Sequence, residues 1–276
     1  MSVLSILGLA FLTIVSGLVV PRDSTVIALT SAAINAFTPY TYYAAAAYCT
    51  PAVVNSWSCG AKCNANSRFV PTASGGNGGT IQYWYMGYDP SLNAFVVAHQ
   101  GTDTSKIVAD FTDVDFVLTS LGSTNFPGIT NLAIKSTRVS WATQKTLSAH
   151  SGASVTLVGH SLGAALALVD ALCLPLHLPT GTKFKFIGYG MPRVGNTEFT
   201  AYLDAHFSDL IHINNKEDVV PILPGVHHPH GEVHIADDNV WHACAGEDNT
   251  SSLCTVGDVT SIFDGDTTSR NLAKSR

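Results

Sequence analysis

Short apolar segments separated by helical stretches run through this chain and predict one layered domain. Positions 81–88 and 95–99 alternate in the way that two paired strands do. Further apolar runs predict buried core strands at Val155–Val158, Phe184–Tyr189 and Leu210–Ile213. Because helical patterns separate these runs, we expect an α/β domain with a mostly parallel sheet and flanking helices.

The segments between the strands have their own compositions. The stretch from Ala32 to Tyr48 is rich in Ala and Tyr and predicts an early helix. Residues 74–80 are rich in Gly and predict a tight hairpin or loop, and the Pro- and His-rich residues 221–230 predict another loop. Neither an internal repeat nor a linker divides the chain.

The first twenty residues are apolar almost without interruption. Val15 and Gly17 are small enough for the −3 and −1 positions of a signal-peptidase site. We therefore expect residues 1–17 to be a signal peptide and residues 18–276 to be the secreted domain. The alternative is a signal anchor that stays in the membrane, since the run is of marginal spanning length. Nothing later in the chain resembles a spanning helix.

Composition limits the classes of partner. The 276 residues are 46% hydrophobic and 12% charged, enough for a substantial core in one α/β domain. The net charge of −6 argues against nucleic acid as a partner.

Six cysteines predict disulfides in a secreted chain. Cys59 with Cys63, and Cys244 with Cys254, are local pairs in polar loops. Cys173 falls in an apolar helical run and is expected to be a buried thiol, which leaves Cys49 without an obvious partner. A zinc site is the alternative, but the spacing of the ligands is poor, so we expect no metal and no cofactor.

The segment from Gly159 to Gly163 carries the clearest chemical signal. It has the pattern G-x-S-x-G and lies between a β-branched run and an Ala-rich helical run. This strand–turn–helix context is that of the nucleophile elbow of α/β-hydrolases, with Ser161 as the nucleophile. The elbow strains the Ser backbone, and a Cβ at either flanking glycine would block the approach of strand and helix. The backbone N–H of Leu162 would then donate to an oxyanion at the helix N-terminus.

Two other segments supply candidates for the triad acid and for the second oxyanion donor. Asp218 follows a predicted strand and would orient a histidine, with Asp204, Asp209 and Glu217 as rivals. Thr102 also follows a strand, and its hydroxyl and N–H would complete the oxyanion hole. Beyond Thr102, apolar residues share one helical face and predict either a lid that opens on lipid or a helix packed on the core: Ile107, Phe111, Val114 and Leu118.

Together these residues resemble the fungal class 3 lipases, a secreted type that includes triacylglycerol lipases and feruloyl esterases. The resemblance covers about residues 30–266 and rests on four segments, His99–Thr102, Gly159–Ala164, Gly190–Asn196 and Asp218–Pro221. The segment Gly190–Asn196 is the most specific of the four. The resemblance implies the α/β-hydrolase fold, Ser161 as nucleophile and Asp218 as triad acid. It also implies Thr102 and Leu162 as oxyanion donors, with a lid after Thr102.

The end of the chain departs from this pattern. In the family, the catalytic histidine and a final cysteine follow a segment like Ile262–Asp266, and an early cysteine pairs with that final one. Here residues 267–276 contain neither, and the last histidine is His242. We therefore expect no third triad histidine at the family position, a truncated C-terminus and an unpaired Cys49. Five later histidines are expected to have supporting roles: His227, His228, His230, His234 and His242.

The resulting functional prediction is ester hydrolysis of the lipase type in lipid degradation, outside the cell. A feruloyl or other small-ester esterase is the alternative within enzymes. A catalytically inactive, lipid-binding hydrolase fold is the alternative from another class, because the family's histidine is missing. The expected partners are a lipid or other ester substrate and, transiently, a lipid–water interface.

Overall fold

A nine-stranded mixed sheet forms the centre of the domain in a computed structural model. The structure describes residues 25–102, 150, 152–223 and 227–260, and the backbone of 119–120 and 133–134. The strands of this sheet are β1 (Val26–Ala28), β2 (Val70–Gly75), β3 (Trp84–Asp89), β4 (Ala94–His99), β7 (Ser154–His160), β8 (Phe184–Tyr189), β9 (Leu210–Asn215), β10 (Glu232–Ile235) and β11 (Trp241–Cys244). A separate two-stranded pair consists of β5 (Thr119–Ser120) and β6 (Ala133–Ile134).

The centre of the sheet is parallel and its edges are antiparallel. The strand order is β1-β11-β10-β9-β8-β7-β4-β3-β2. Strands β4, β7, β8, β9 and β10 run parallel to one another, while β3 and β2 on one side and β11 and β1 on the other are antiparallel. The carboxyl ends of the central strands therefore meet at one edge, where such sheets place their sites.

Helices and short turns connect these strands. The described helices are α1 (Ser31–Asn35), α2 (Thr38–Ala46), α3 (Pro51–Asn55), α4 (Ala61–Asn64), α5 (Leu162–Cys173), α6 (Thr197–His206) and α7 (Thr255–Asp258), with 3-10 turns at Leu174–Leu176 and Val220–Ile222. The expected single helix over 32–48 is wrong in its extent, since α1 ends at Asn35 and α2 starts at Thr38. Pro39 lies in the first turn of α2, where its missing N–H costs nothing, whereas inside one long helix it would break a hydrogen bond.

The predicted core strands are confirmed. Phe184–Tyr189 coincides with β8, and the runs at 155–158 and 210–213 lie inside β7 and β9. Strands β3 and β4 pair antiparallel as the alternation at 81–88 and 95–99 predicts.

Both faces of the sheet are buried, which explains the unbroken apolar runs. Leu157 and Phe186 belong to a cluster on one face, together with the apolar side of α5. Val158 and Ile187 point the other way into a second cluster that includes Tyr43 of α2. The elbow strand β7 is thus held from both sides, and its carboxyl end is fixed in place.

Candidate active site

Ser161 lies between the end of β7 and the start of α5, with φ 56° and ψ −129°. Few L-residues adopt this backbone conformation, and here the neighbouring contacts enforce it. The Ser161 N–H donates to the Tyr189 carbonyl of β8 at 2.8 Å. A Cβ on Gly159 would overlap the Gly163 carbonyl, and one on Gly163 would lie 2.7 Å from the Gln100 carbonyl carbon. Both glycines therefore permit the close approach that the sequence predicted.

The side chain of Ser161 is buried, with 1% of its surface exposed. Its Oγ has no hydrogen-bond partner among the described residues. A buried hydroxyl without a partner is unfavourable in a folded protein and is typical of a group kept for chemistry. Leu162 follows as the first residue of α5, where its N–H has no acceptor within the helix.

The segment that leaves β4 packs directly against Ser161. A Cβ on Gly101 would overlap the His160 carbonyl and the Tyr48 hydroxyl and would lie 3.2 Å from the Ser161 Cβ. Thr102 is the next residue, and it is buried. Gln100 anchors this segment, since its N–H donates to the Tyr83 carbonyl at 2.8 Å and its Oε1 accepts from the Tyr83 N–H at 2.9 Å.

A second anchor joins the same segment to the elbow helix. His99 Nε2 lies 2.7 Å from Asp170 Oδ2 of α5. Asp170 is 2% exposed, so its carboxylate is nearly removed from water. The pair ties the end of β4, which leads into Thr102, to the helix that begins at Leu162.

Asp218 lies beyond the carboxyl end of β9 and is buried. Its Oδ1 accepts from the Val220 N–H at 3.0 Å, and its N–H donates to the Asn215 carbonyl at 3.2 Å. A Cβ on Gly190 would lie 2.9 Å from Asp218 Oδ2 and 3.7 Å from His160 Nε2. Gly190, with φ 50°, therefore admits the Asp218 carboxylate to the edge of the sheet beside the His160 ring.

Arg193 in the same segment holds the turn that follows Asp218. Its Nη1 donates to the Ile222 carbonyl at 3.0 Å, and its Nε and Nη2 donate to Asp248 Oδ1. The rival acids are engaged elsewhere, Asp209 with Lys185 and Asp204 with His230.

His160, next to Ser161, is buried and bound to Tyr48. The Tyr48 hydroxyl lies 2.7 Å from His160 Nδ1. Burial lowers the pKa of His160 to about 4, so its imidazole is neutral at neutral pH. Sequence reasoning missed this pair, because nothing in the pattern of residues connects position 48 with position 160.

All eleven histidines of the chain lie within the described residues, and none hydrogen-bonds Ser161 Oγ. His228 Nε2–H donates to the Pro221 carbonyl at 2.7 Å, and burial lowers the pKa of His228 to about 3. His234 contacts Thr255 Oγ1 through Nδ1 and Asp258 Oδ2 through Nε2. These contacts connect loops and strands, as expected for supporting roles.

The disulfide predictions are confirmed for both local pairs, Cys59–Cys63 and Cys244–Cys254. Cys173, which is buried, and Cys49 form no disulfide within the described part of the chain. Glu232, Cys244 and Cys254 bring three metal-ligating atoms within 4.8 Å of one another in the described part of the chain. Two of these atoms are the sulfurs of the disulfide, so they are not available as thiolate ligands.

Several predictions concern residues outside those described. They are the signal peptide at 1–17, the lid face that starts at Ile107 and the departure from the family pattern at 267–276. Over the residues that are described, no helix has the length and apolar character that crossing a bilayer requires.

Comparison with known proteins agrees with this geometry. The family described as lipase (class 3) matches residues 96–228, which include β4 from Val96 onward, the elbow and Asp218. A secreted mono- and diacylglycerol lipase of Malassezia globosa, MDL2, is 38% identical over 109 residues, 37% of this chain and 36% of that protein. The chain thus spans about a third of the length of this relative. A second one from the same fungus, MDL3, is 28% identical over 241 residues, 81% of this chain and 77% of that protein.

Solved structures share the fold. Lipase II from Rhizopus niveus superposes with a TM-score of 0.74 at 23% identity, over 89% of this chain and 96% of that one. The triacylglyceride lipase of Rhizomucor miehei superposes with a TM-score of 0.73 at 21% identity, also over 89% of this chain and 96% of that one. The predicted α/β-hydrolase fold is therefore confirmed. Over residues 96–228 the chain is therefore similar to the class 3 lipases, and secreted fungal lipases are among its relatives.

Proposed function

We propose that this protein hydrolyses carboxylic esters of lipids through an acyl-enzyme on Ser161. The observation that supports this most directly is the strained, buried and unpartnered Ser161 at the start of α5, with Gly101 packed against it. Strain and an unpaired hydroxyl are both costly, and α/β-hydrolases retain them at the nucleophile elbow.

In the proposed mechanism, Ser161 Oγ attacks the ester carbonyl carbon and the carbonyl oxygen becomes an oxyanion. The Leu162 N–H at the start of α5 and the N–H and hydroxyl of Thr102 stabilise that oxyanion. The alcohol leaves, and water then attacks the acyl-enzyme and releases the acid. Asp218 has the role of the acid that orients the base.

The base itself has no assignment among the observed contacts. A histidine would take the Ser161 proton, yet no histidine hydrogen-bonds Ser161 Oγ here. Without a base the Ser161 hydroxyl is a weak nucleophile at neutral pH, so the measured rate of ester hydrolysis tests whether another group accepts this proton.

Acylglycerols are the proposed substrates. Two relatives, MDL2 and MDL3, are named mono- and diacylglycerol lipases, and two of the structural neighbours are named triacylglyceride or triacylglycerol lipases. Since Ser161 is buried, a long-chain ester reaches it only after this edge of the sheet opens. The predicted lid face at 107–118 is our candidate for the moving element. Because relatives are named secreted, we also propose that the protein acts outside the cell after loss of residues 1–17.

One observation favours a second candidate function, a lipid-binding protein without turnover. It is the lack of a hydrogen bond between any histidine and Ser161. Losing a triad member lowers the rate by roughly 10⁴- to 10⁶-fold, which would leave binding as the main property.

Hydrolysis of p-nitrophenyl butyrate in solution, with Ser161→Ala as control, distinguishes the lipase from the lipid-binding protein without turnover. Turnover that disappears in Ser161→Ala supports the lipase. Binding to lipid without Ser161-dependent turnover supports the second candidate. A steep rise in rate when a long-chain ester forms an emulsion would favour the lipase over a small-ester esterase.

A further inference from the structure

The loop that joins β2 to β3, residues 76–83, lies at the same edge of the sheet as Ser161. Trp84, at the start of β3, pairs with His99, and His99 pairs with Gly159 of the elbow strand. We call residues 76–83 the hairpin loop. The hairpin loop therefore lies at the sheet edge that carries Ser161, with β4 between its strand β3 and the elbow strand β7.

Ile81 in the hairpin loop is the most exposed large hydrophobic residue in the described part of the chain, at 59%. Single exposed apolar side chains are common and need no explanation by themselves. Two further properties of this loop favour contact between Ile81 and an apolar phase.

The first property is that the backbone around Ile81 satisfies its own hydrogen bonds. The Ile81 carbonyl accepts from the N–H groups of Asn77 and Gly78, at 2.9 and 3.0 Å. The Ile81 N–H donates to Asn77 Oδ1 at 3.0 Å, and Asn77 Nδ2 donates to Thr80 Oγ1 at 2.8 Å. Entering an apolar phase is costly for unpaired backbone groups, and the paired groups of Ile81 avoid that cost.

The second property is the absence of charge. No Asp, Glu, Lys or Arg occurs between Arg68 and Asp89. Both of these residues lie at the opposite edge of the sheet, since Arg68 precedes β2 and Asp89 pairs with Ala94 at the start of β4. The half of the hairpin nearest the site is therefore apolar or neutral, and it has no means of attracting an anionic surface.

We propose that the hairpin loop docks on a surface of uncharged or zwitterionic lipid and inserts the Ile81 side chain. A lipid surface fits better than a protein partner, because Ile81 is the one large apolar side chain that this loop exposes and the loop offers no charged contacts. This inference rests on the proposed lipid-ester function and adds a fixed contact with the interface, separate from the predicted lid.

Val70 provides a matched control within the same hairpin. It is 56% exposed, nearly as much as Ile81, but it pairs with Tyr88 at the opposite end of β2. From strand geometry it lies about 17 Å from Gly75, the last residue before the hairpin loop.

The test compares Ile81→Asp with Val70→Asp, both in a Ser161→Ala background that cannot consume lipid. Cosedimentation with phosphatidylcholine vesicles should show binding about tenfold weaker for Ile81→Asp, since interfacial binding scales with inserted apolar area. Val70→Asp should bind lipid within about twofold of its parent, because Val70 lies at the end of β2 that is far from the docked hairpin loop. Ile81→Ser, a milder change in case the Asp variant unfolds, should also weaken binding, and thermal unfolding verifies that each variant is folded.

Replacing part of the phosphatidylcholine with phosphatidylglycerol should not strengthen binding, given the neutral loop and the net charge of −6. The proposal is overturned if both Asp variants lose binding equally, or if Ile81→Asp and Ile81→Ser bind as tightly as their parent. Because binding is measured without turnover, absence of Ser161-dependent hydrolysis would refute the proposed function while this result still stands.

Discussion

At the scale of single residues, the candidate site depends on how closely backbone segments approach Ser161. Gly159 lets β7 and α5 meet, and Gly163 lets α5 approach the end of β4. Gly101 allows the segment that carries Thr102 to pack against Ser161, and Gly190 leaves room for the carboxylate of Asp218. The elbow glycines follow from the motif itself. The roles of Gly101 and Gly190 follow only from their contacts in the folded chain.

Gly101→Ala tests this close approach. The new methyl group would overlap the His160 carbonyl and the Tyr48 hydroxyl, so Thr102 would move away from Ser161. We expect kcat on p-nitrophenyl butyrate to fall about 100-fold, because small misplacements of an oxyanion donor cost that much. Wild-type kcat in folded Gly101→Ala would show that Thr102 has no such role. Gly79→Ala is the stability control, since its methyl meets nothing nearer than 3.8 Å.

Glu232 gives a pH-dependent prediction. Burial raises the pKa of Glu232 from 4.5 to about 6, although its Oε1 accepts from the Thr255 N–H at 2.7 Å. The folded protein holds this proton to higher pH than the unfolded chain does, so stability falls as the pH rises from about 4.5 to about 6.

Glu232→Gln keeps the acceptor and removes the titration. It should exceed the wild type in free energy of unfolding by about 2 kcal/mol above pH 6 and match it near pH 4. Urea unfolding at pH 4 and pH 7 measures both values. A gain that is the same at both pH values would show that the titration of Glu232 is not the cause.

At the scale of elements, the elbow helix and the end of β4 act together. The His99–Asp170 contact joins them, with Asp170 almost completely buried. Removing His99 alone leaves the Asp170 carboxylate without its partner in a poorly solvated position, whereas removing the His99 ring together with the Asp170 charge does not.

A double-mutant cycle measures this coupling. His99→Ala should lower the free energy of unfolding by about 3 kcal/mol, and adding Asp170→Asn should recover part of that loss. The measurement is urea unfolding of the two single variants and the double variant. Strict additivity of the two changes would mean that the pair does not tie α5 to β4.

The elements also show where sequence reasoning succeeds. Runs such as Phe184–Tyr189 are apolar because both sheet faces are buried, so the bounds of these strands can be predicted from the local sequence. The break between α1 and α2 was missed although Pro39 marks it. Contacts such as Tyr48 with His160 join residues 112 positions apart, and no local pattern encodes them.

At the scale of the whole molecule, the parallel strands bring distant segments to one edge. Thr102 follows β4, Ser161 follows β7 and Asp218 follows β9, and the hairpin loop opens at that same edge. The fold is that of lipase II from Rhizopus niveus, and residues 96–228 match the class 3 lipase family. The base is the unassigned element of the catalytic arrangement, since none of the eleven histidines hydrogen-bonds Ser161 Oγ.

The central claim is that Ser161 is an activated nucleophile, and covalent labelling tests it most directly. After incubation with a fluorophosphonate, intact-mass and peptide analysis should find one adduct, on Ser161, that is missing from Ser161→Ala. Wild-type protein that takes up no label, or an adduct that persists in Ser161→Ala, would contradict the account.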